Sequence, residues 1–336
     1  ELEENDKAFA DFDSAAQEDP GNPYPYYNTG RLYMRLKKAE EAEDYLRKAL
    51  LIAGDEKRKV FYNLLSKCIV RLRDKKNVKK ELDELFDKMA GVFPDDPDVY
   101  IKKAECLGAA GLMDDAMDCY MEAKKLDKEG NYCIDRDIAL LLLDETFDPV
   151  RTSEFINSRK EYLEKGEFNT VMYYFHKYFE NDEEEYKAIR KIDPHDAMQN
   201  YDTAVAIRKI AQKKRSAITR KKLLEEAEEL LNKSEEQSKK MIRFASDKMQ
   251  GLKRLALICI ERGELKEAKK LLDEMEKAPL CDYCYCTECY ELYMTRAKYY
   301  MELGDKEAAL SNIGRAYELC KNDGEILLIM KKIKEM

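Results

Sequence analysis

An all-α fold follows from three features of the sequence. In 336 residues there are 13 Gly and 8 Pro, too few for the many tight turns of a sheet-rich chain. The abundant Ala, Leu, Lys and Glu are strong helix formers. A small–large–small triplet, spaced by four and then three residues, also recurs with a period near 34. It appears as Ala8, Phe12, Ala15, then as Ala42, Leu46, Ala49, as Ala116, Tyr120, Ala123, and as Ala309, Ile313, Ala316, with a looser copy at Ala268, Leu272, Met275. That spacing lines up one face of a helix. A single helical hairpin cannot bury such a stripe, so the predicted architecture is a solenoid of stacked helix pairs.

The elements follow in order. Ala8, Phe12 and Ala15, closed by Pro20, read as the second helix of a pair whose first helix would precede Glu1. The first unit is therefore expected to be incomplete, and its unpartnered stripe to favour end-to-end self-association. "YYNTGRLYMRLKKAEEAEDYLRKAL" places Tyr26, Gly30 and Tyr33 on a first helix and Ala42, Leu46 and Ala49 on a second. Gly30 and Ala42 allow the two helices to approach closely. Leu82, Phe86, Met89 and Pro94 fit the second helix of a longer repeat, and Gly111, Gly263 and Gly304 fall where paired helices must turn. Residues 1–130 thus form an N-terminal array. Over 131–247 the period fades: "IDRDIALLLLDE" and "NTVMYYFHKYFENDEEEYKAIRKIDP" predict divergent hairpins that continue the solenoid. Residues 248–336 hold a C-terminal pair of repeats. Ala268 and Ala309 stand 41 positions apart, seven beyond one period, and the excess falls at 279–289.

That insertion contains "CDYCYCTECYE", with Cys281, Cys284, Cys286 and Cys289 in nine positions. Two Cys-x-x-Cys pairs separated by Tyr285 supply the four thiolates of a closed tetrahedral zinc site. With Thr287 as helix cap, Cys289 would enter the first helical turn, where the helix dipole favours a thiolate. Three readings stay open: one structural zinc that clamps the last repeat, reduced thiols without metal, or redox and iron–sulfur chemistry. The other six cysteines are scattered singly in helical patterns, as buried free thiols of a cytoplasmic protein would be.

Composition and motifs narrow the function classes. A net charge of −9 argues against general affinity for nucleic acid, which needs a basic face. The basic run "IRKIAQKKRSAITRKK" is followed by "LLEEAEELL", whose acids pair with it at helical spacing. No stretch of 18 apolar residues predicts a membrane span, and "ELEENDKAFADF" has no features of a signal peptide. Neither G-x-x-x-x-G-K-[ST] nor G-x-G-x-x-G occurs. Of the two histidines, His176 reads as a core or interface ring and His195 as part of a helix start. The acidic "ENDEEE" lacks the ligand alternation of a calcium loop. No catalytic constellation is predicted.

The recurring aromatic–small–Tyr and Ala–large–Ala pattern resembles the tetratricopeptide repeat. The resemblance implies a right-handed superhelical solenoid of antiparallel helix pairs. It also implies a non-enzymatic adaptor that holds a peptide or partner helix on a concave face lined by first helices. On that face it places Tyr24, Tyr27, Asn28 and Arg31 of the first full repeat, with Lys102 and Glu105 of the third. One subtype grips acidic chaperone tails with a Lys/Asn clamp. Here Tyr27 and Arg31 stand in the first Lys and Asn places and Asp98 in a later Lys place, so that ligand is not implied. A fainter resemblance is to the repeat-rich C-terminal regions of bacterial J-domain co-chaperones. The His-Pro-Asp signature of the J-domain itself is absent. The expected role is a protein-interaction scaffold, alone or within a longer co-chaperone. The alternative is a peptide-sensing regulatory receptor whose effector domain lies outside this chain.

Overall fold

The computed structural model describes residues 2–53, 58–146, 149–159, 165–192, 196–244, 247–280, 288–321 and 323–336. Among the described residues every regular element is a helix. The first compact unit holds α1 (Leu2–Glu18), α2 (Pro23–Arg35), α3 (Ala39–Ile52), α4 (Arg58–Leu72), α5 (Lys75–Val92), α6 (Pro97–Ala109) and α7 (Met113–Leu126). The second holds α8 (Ile134–Thr146), α9 (Pro149–Arg159), α10 (Lys165–Tyr178), α11 (Asp182–Ile189), α12 (Ala197–Lys213) and α13 (Ala217–Met241). It continues through α14 (Lys248–Arg262), α15 (Leu265–Lys277), α16 (Tyr290–Glu302), α17 (Lys306–Leu319) and α18 (Gly324–Glu335). The predicted all-α architecture of stacked helix pairs is the one observed.

Among the described residues one turn is used five times. Lys37, Gly111, Glu180, Gly263 and Gly304 are left-handed, with φ of 64°, 73°, 55°, 75° and 73°. In each case the next residue's N–H donates five positions back, from Lys38 to Tyr33, Leu112 to Leu107, Asn181 to His176, Glu264 to Cys259 and Asp305 to Tyr300, at 2.8–3.0 Å. This is the Schellman closure, which satisfies carbonyls left open at a helix end. The following helix then begins two residues past the left-handed position. The hairpins α2–α3, α6–α7, α10–α11, α14–α15 and α16–α17 therefore share one geometry. It includes a hairpin inside the stretch where the sequence period fades.

Packing follows from the same register. Seven residues before the left-handed position and five after it, four of the hairpins carry Gly30 and Ala42, Ala104 and Ala116, Ala256 and Ala268, and Ala297 and Ala309. All eight are buried. A Cβ on Gly30 would lie 2.7 Å from Leu46 Cγ and 3.2 Å from the Ala42 carbonyl oxygen, so the first helix can sit this close only without a side chain. In α10–α11 the same two places hold Tyr173 and Glu185, both buried.

The second unit closes on itself through its last helix. Ile326, Ile329 and Ile333 of α18 pack into the core of α16 and α17. At its other side the Gly324 N–H donates to Asp144 Oδ1 of α8 at 3.1 Å, Glu325 meets Lys177 of α10 at 3.5 Å, and Lys331 pairs with Glu180. Helices α10, α12, α14, α16 and α18 thereby surround a cavity.

Candidate functional site

In the first unit α2, α4 and α6 lie side by side. Each is the first helix of its pair. Asn22 caps α2 through Tyr24 N–H, and Asp96 caps α6 through Asp98 N–H, each with Pro just inside the helix. Tyr24 and Tyr27 of α2 set their rings edge-on to Phe61 of α4, at 5.7 and 5.1 Å between centroids. Tyr24 remains exposed, whereas Tyr27, Asn28 and Arg31 are partly buried. Lys102 of α6 donates to both oxygens of Glu105 at 2.8 and 3.0 Å, so these two predicted residues engage each other. Asp98 is drawn toward Lys59, 3.6 Å away.

Sequence reasoning did not single out α4, which contributes the centre of this face. Arg71 Nη1 donates to the Met34 carbonyl at 3.1 Å, tying α4 to α2, and Cys106 Sγ contacts Ser66 Oγ at 3.3 Å, tying α6 to α4. Burial lowers the pKa of the Lys67 ammonium, with Lys102 and Arg71 adding repulsion against the opposing pull of Cys106 and Glu105. The place of α4 between two recognisable first helices was the available signal.

The second unit presents a different chemistry. Its cavity of about 280 Å³ is lined by apolar side chains from α12, α14, α16 and α18, among them Val205, Leu257, Ile260, Met301 and Ile329. Four lysines and five acids share the walls. Lys209 donates to both oxygens of the nearly enclosed Glu185, at 3.1 and 2.8 Å. Lys298 donates to Glu325 at 2.6 Å. Burial alone would raise the Glu325 carboxyl, but the charges of Lys177 and Lys298 outweigh it and hold the pKa well below the usual range. Lys177 responds in kind: burial works against its charge, and Glu325 with Tyr173 and Asp202 keeps it well above the ordinary lysine value. Lys332 goes the other way. Burial lowers it first and Lys209 next, while Glu180, its carboxylate neighbour at 3.8 Å, already pairs with Lys331.

Behind α18 a second acidic group is enclosed. Asp144 accepts from Gly324 N–H, and Asp323 caps α18 by accepting from the Glu325 and Ile326 N–H groups at 2.8 and 3.3 Å. Burial first, and the charge of Asp323 second, push the Asp144 carboxyl up to about 7.

Of the four clustered cysteines, Cys281, Cys284 and Cys286 lie outside the described residues, as do Thr287 and His195. Cys289 is buried and immediately precedes α16, which starts at Tyr290; it is not in the first turn as the spacing predicted. Among the described residues no group of three or more His, Cys, Asp or Glu is arranged to hold a metal ion. His176 is half-buried edge-on to Phe175 at 5.3 Å, and burial lowers its pKa. Among the described residues no helix is long and apolar enough to cross a membrane.

Two tetratricopeptide-repeat models match the chain, one over residues 1–68 and the other over 97–129 and 290–323. No curated protein matches in sequence. Among solved structures the chain is similar to the Naa15/Naa10 complex bound to HypK-THB, at 15% identity and a TM-score of 0.33. That match covers 99% of this chain, which spans only 58% of that relative's length. A tetratricopeptide repeat protein from Parabacteroides merdae aligns at 11% identity and TM-score 0.38, covering 93% of this chain and 99% of its own. Yeast Tom70 aligns at 14% identity and TM-score 0.38, covering 99% and 85%.

Proposed function

We propose that this chain, which carries tetratricopeptide repeats in both of its units, is a non-enzymatic protein-interaction scaffold whose first unit grips a peptide or partner helix along α2, α4 and α6. The observation that carries the reading is the character of that face. The rings of Tyr24 and Tyr27 on α2 are braced from beneath by the buried Phe61. The same set of first helices carries Arg31 on α2, Lys67 and Arg71 on α4 and Lys102 on α6, with Lys67 close enough to Arg71 and Lys102 to feel their charge. Aromatic rings bury area at small entropic loss, and desolvated cations favour acidic partners. A peptide with acidic residues flanking an apolar one fits this face. The co-chaperone setting belongs to the same proposal, as does the alternative of a peptide-sensing receptor with its effector outside this chain.

The test is peptide selection from a random library on the whole chain, followed by affinity measurement. Acidic peptides are expected to emerge, and Tyr27→Ala or Arg31→Ala to weaken them about tenfold or more, as at interface hot spots. Lys80→Ala, an exposed change on α5, should leave binding unchanged. Peptides that ignore all the α2 substitutions would contradict the proposal. For the cysteine-rich insertion, metal content of protein purified without added metal decides between the readings: one zinc per chain, lost in Cys284→Ser and Cys289→Ser, or none.

A further inference from the structure

The cavity of the second unit is separate from the peptide-gripping face proposed for the first, and it breaks the packing rule of the array. Tyr173 and Glu185 both line it, and both stand where the other four hairpins carry Gly or Ala. An alanine would pack there without difficulty. A carboxylate in the same place must be taken out of water and held by a lysine, which rarely favours stability over an apolar alternative. Departures of this kind from a fold's own pattern concentrate at functional sites.

We propose that this cavity binds a small amphiphilic monocarboxylate, with the acid group among the ammoniums of Lys209, Lys298 and Lys332 and the apolar body against Leu257, Ile260 and Ile329. Among the described residues Glu185 pairs with Lys209, and Glu325 with Lys298 and Lys177. Lys332 has Glu180 at 3.8 Å, a carboxylate that Lys331 holds more closely, so Lys332 is the cavity lysine to which a bound carboxylate adds most. Lys209 and Lys298 repel its ammonium while Glu180 and Glu185 attract it, and burial leaves the balance against the charge, which a bound carboxylate would redress. The acids Asp202, Glu261 and Glu302 also line the walls, which disfavours ligands of higher negative charge such as phosphates. The volume, about 280 Å³, falls just under the ~300–1,000 Å³ of drug-sized sites, so the guest is of the size of a medium-chain fatty acid or one terminal peptide residue.

Calorimetric titration of the whole chain with sodium octanoate, 1-octanol, N-acetyl-glycyl-leucine and the amide of that dipeptide tests the inference. At least one acid should bind saturably, with its neutral counterpart about tenfold or more weaker, the scale of a lost charge-assisted hydrogen bond. Lys332→Met should reduce acid binding to a similar extent, and Val205→Phe should block it by filling the space. Lys240→Met, an exposed change on α13 away from the cavity, should not change it. Octanoate alone binding identifies a free metabolite; stronger binding of the dipeptide acid identifies a chain terminus. No saturable binding of either acid at millimolar concentration, or equal binding of acid and neutral partner, overturns the proposal. So does acid binding that survives both Lys332→Met and Val205→Phe.

Discussion

Glu185 sits in the place of a packed alanine, 1% exposed, and Lys209 donates to both of its carboxylate oxygens. Lys209→Met strips that partner and should lower stability by about 3 kcal/mol in urea unfolding, because it leaves an uncompensated buried charge. Adding Glu185→Ala to the same chain should recover most of the loss. Asp144 supplies a pH signature. Its pKa in the fold, about 7, lies above the ordinary aspartate value, so the folded state binds the proton more tightly than the unfolded state. Its contribution is therefore fully present below about pH 4 and is lost as pH rises through about 7. Asp144→Asn cannot ionise, so its advantage over the parent should widen by about 2 kcal/mol between pH 5 and pH 8. That Tyr24, Tyr27, Asn28 and Arg31 share the first helix of a pair was legible from the repeat pattern. Glu185 and Asp144 were not, because their importance lies in burial by helices distant in the chain.

Five hairpins close on one Schellman turn, but only three of them announce it with glycine. Gly111, Gly263 and Gly304 were legible as turns because glycine tolerates positive φ without steric penalty. Lys37 and Glu180 adopt the same conformation against their Cβ, and nothing local marks them in advance. This explains why α10–α11 faded from the period: its turn is Glu180, and its two packing positions are Tyr173 and Glu185. Lys37→Gly should therefore raise the stability of the parent by up to about 1 kcal/mol, and Gly111→Ala should lower it by about 1 kcal/mol, both read from urea midpoints. Equal and negligible effects at the two positions would mean that the turn carries no strain at Lys37. The start of α16 at Tyr290 was not legible, because it depends on a helix boundary that spacing fixes only loosely.

At the scale of the whole molecule, a repeat array predicts stacked neighbours but not how its ends meet. The closure of the second unit joins Gly324 to Asp144 and Lys331 to Glu180, partners 180 and 151 positions apart. No periodicity encodes such a contact. Gly324 matters to it: a Cβ there would clash with the edge of the Tyr178 ring. Closure turns the inner side of the second unit into a small charged cavity. The proposed function puts macromolecular recognition on α2, α4 and α6, and hydrogen exchange tests that placement most directly. With a library-selected acidic peptide bound, amide exchange should slow in α2, α4 and α6 and stay unchanged in α3, α5 and α7. Protection confined to those second helices, or to neither set, would contradict it.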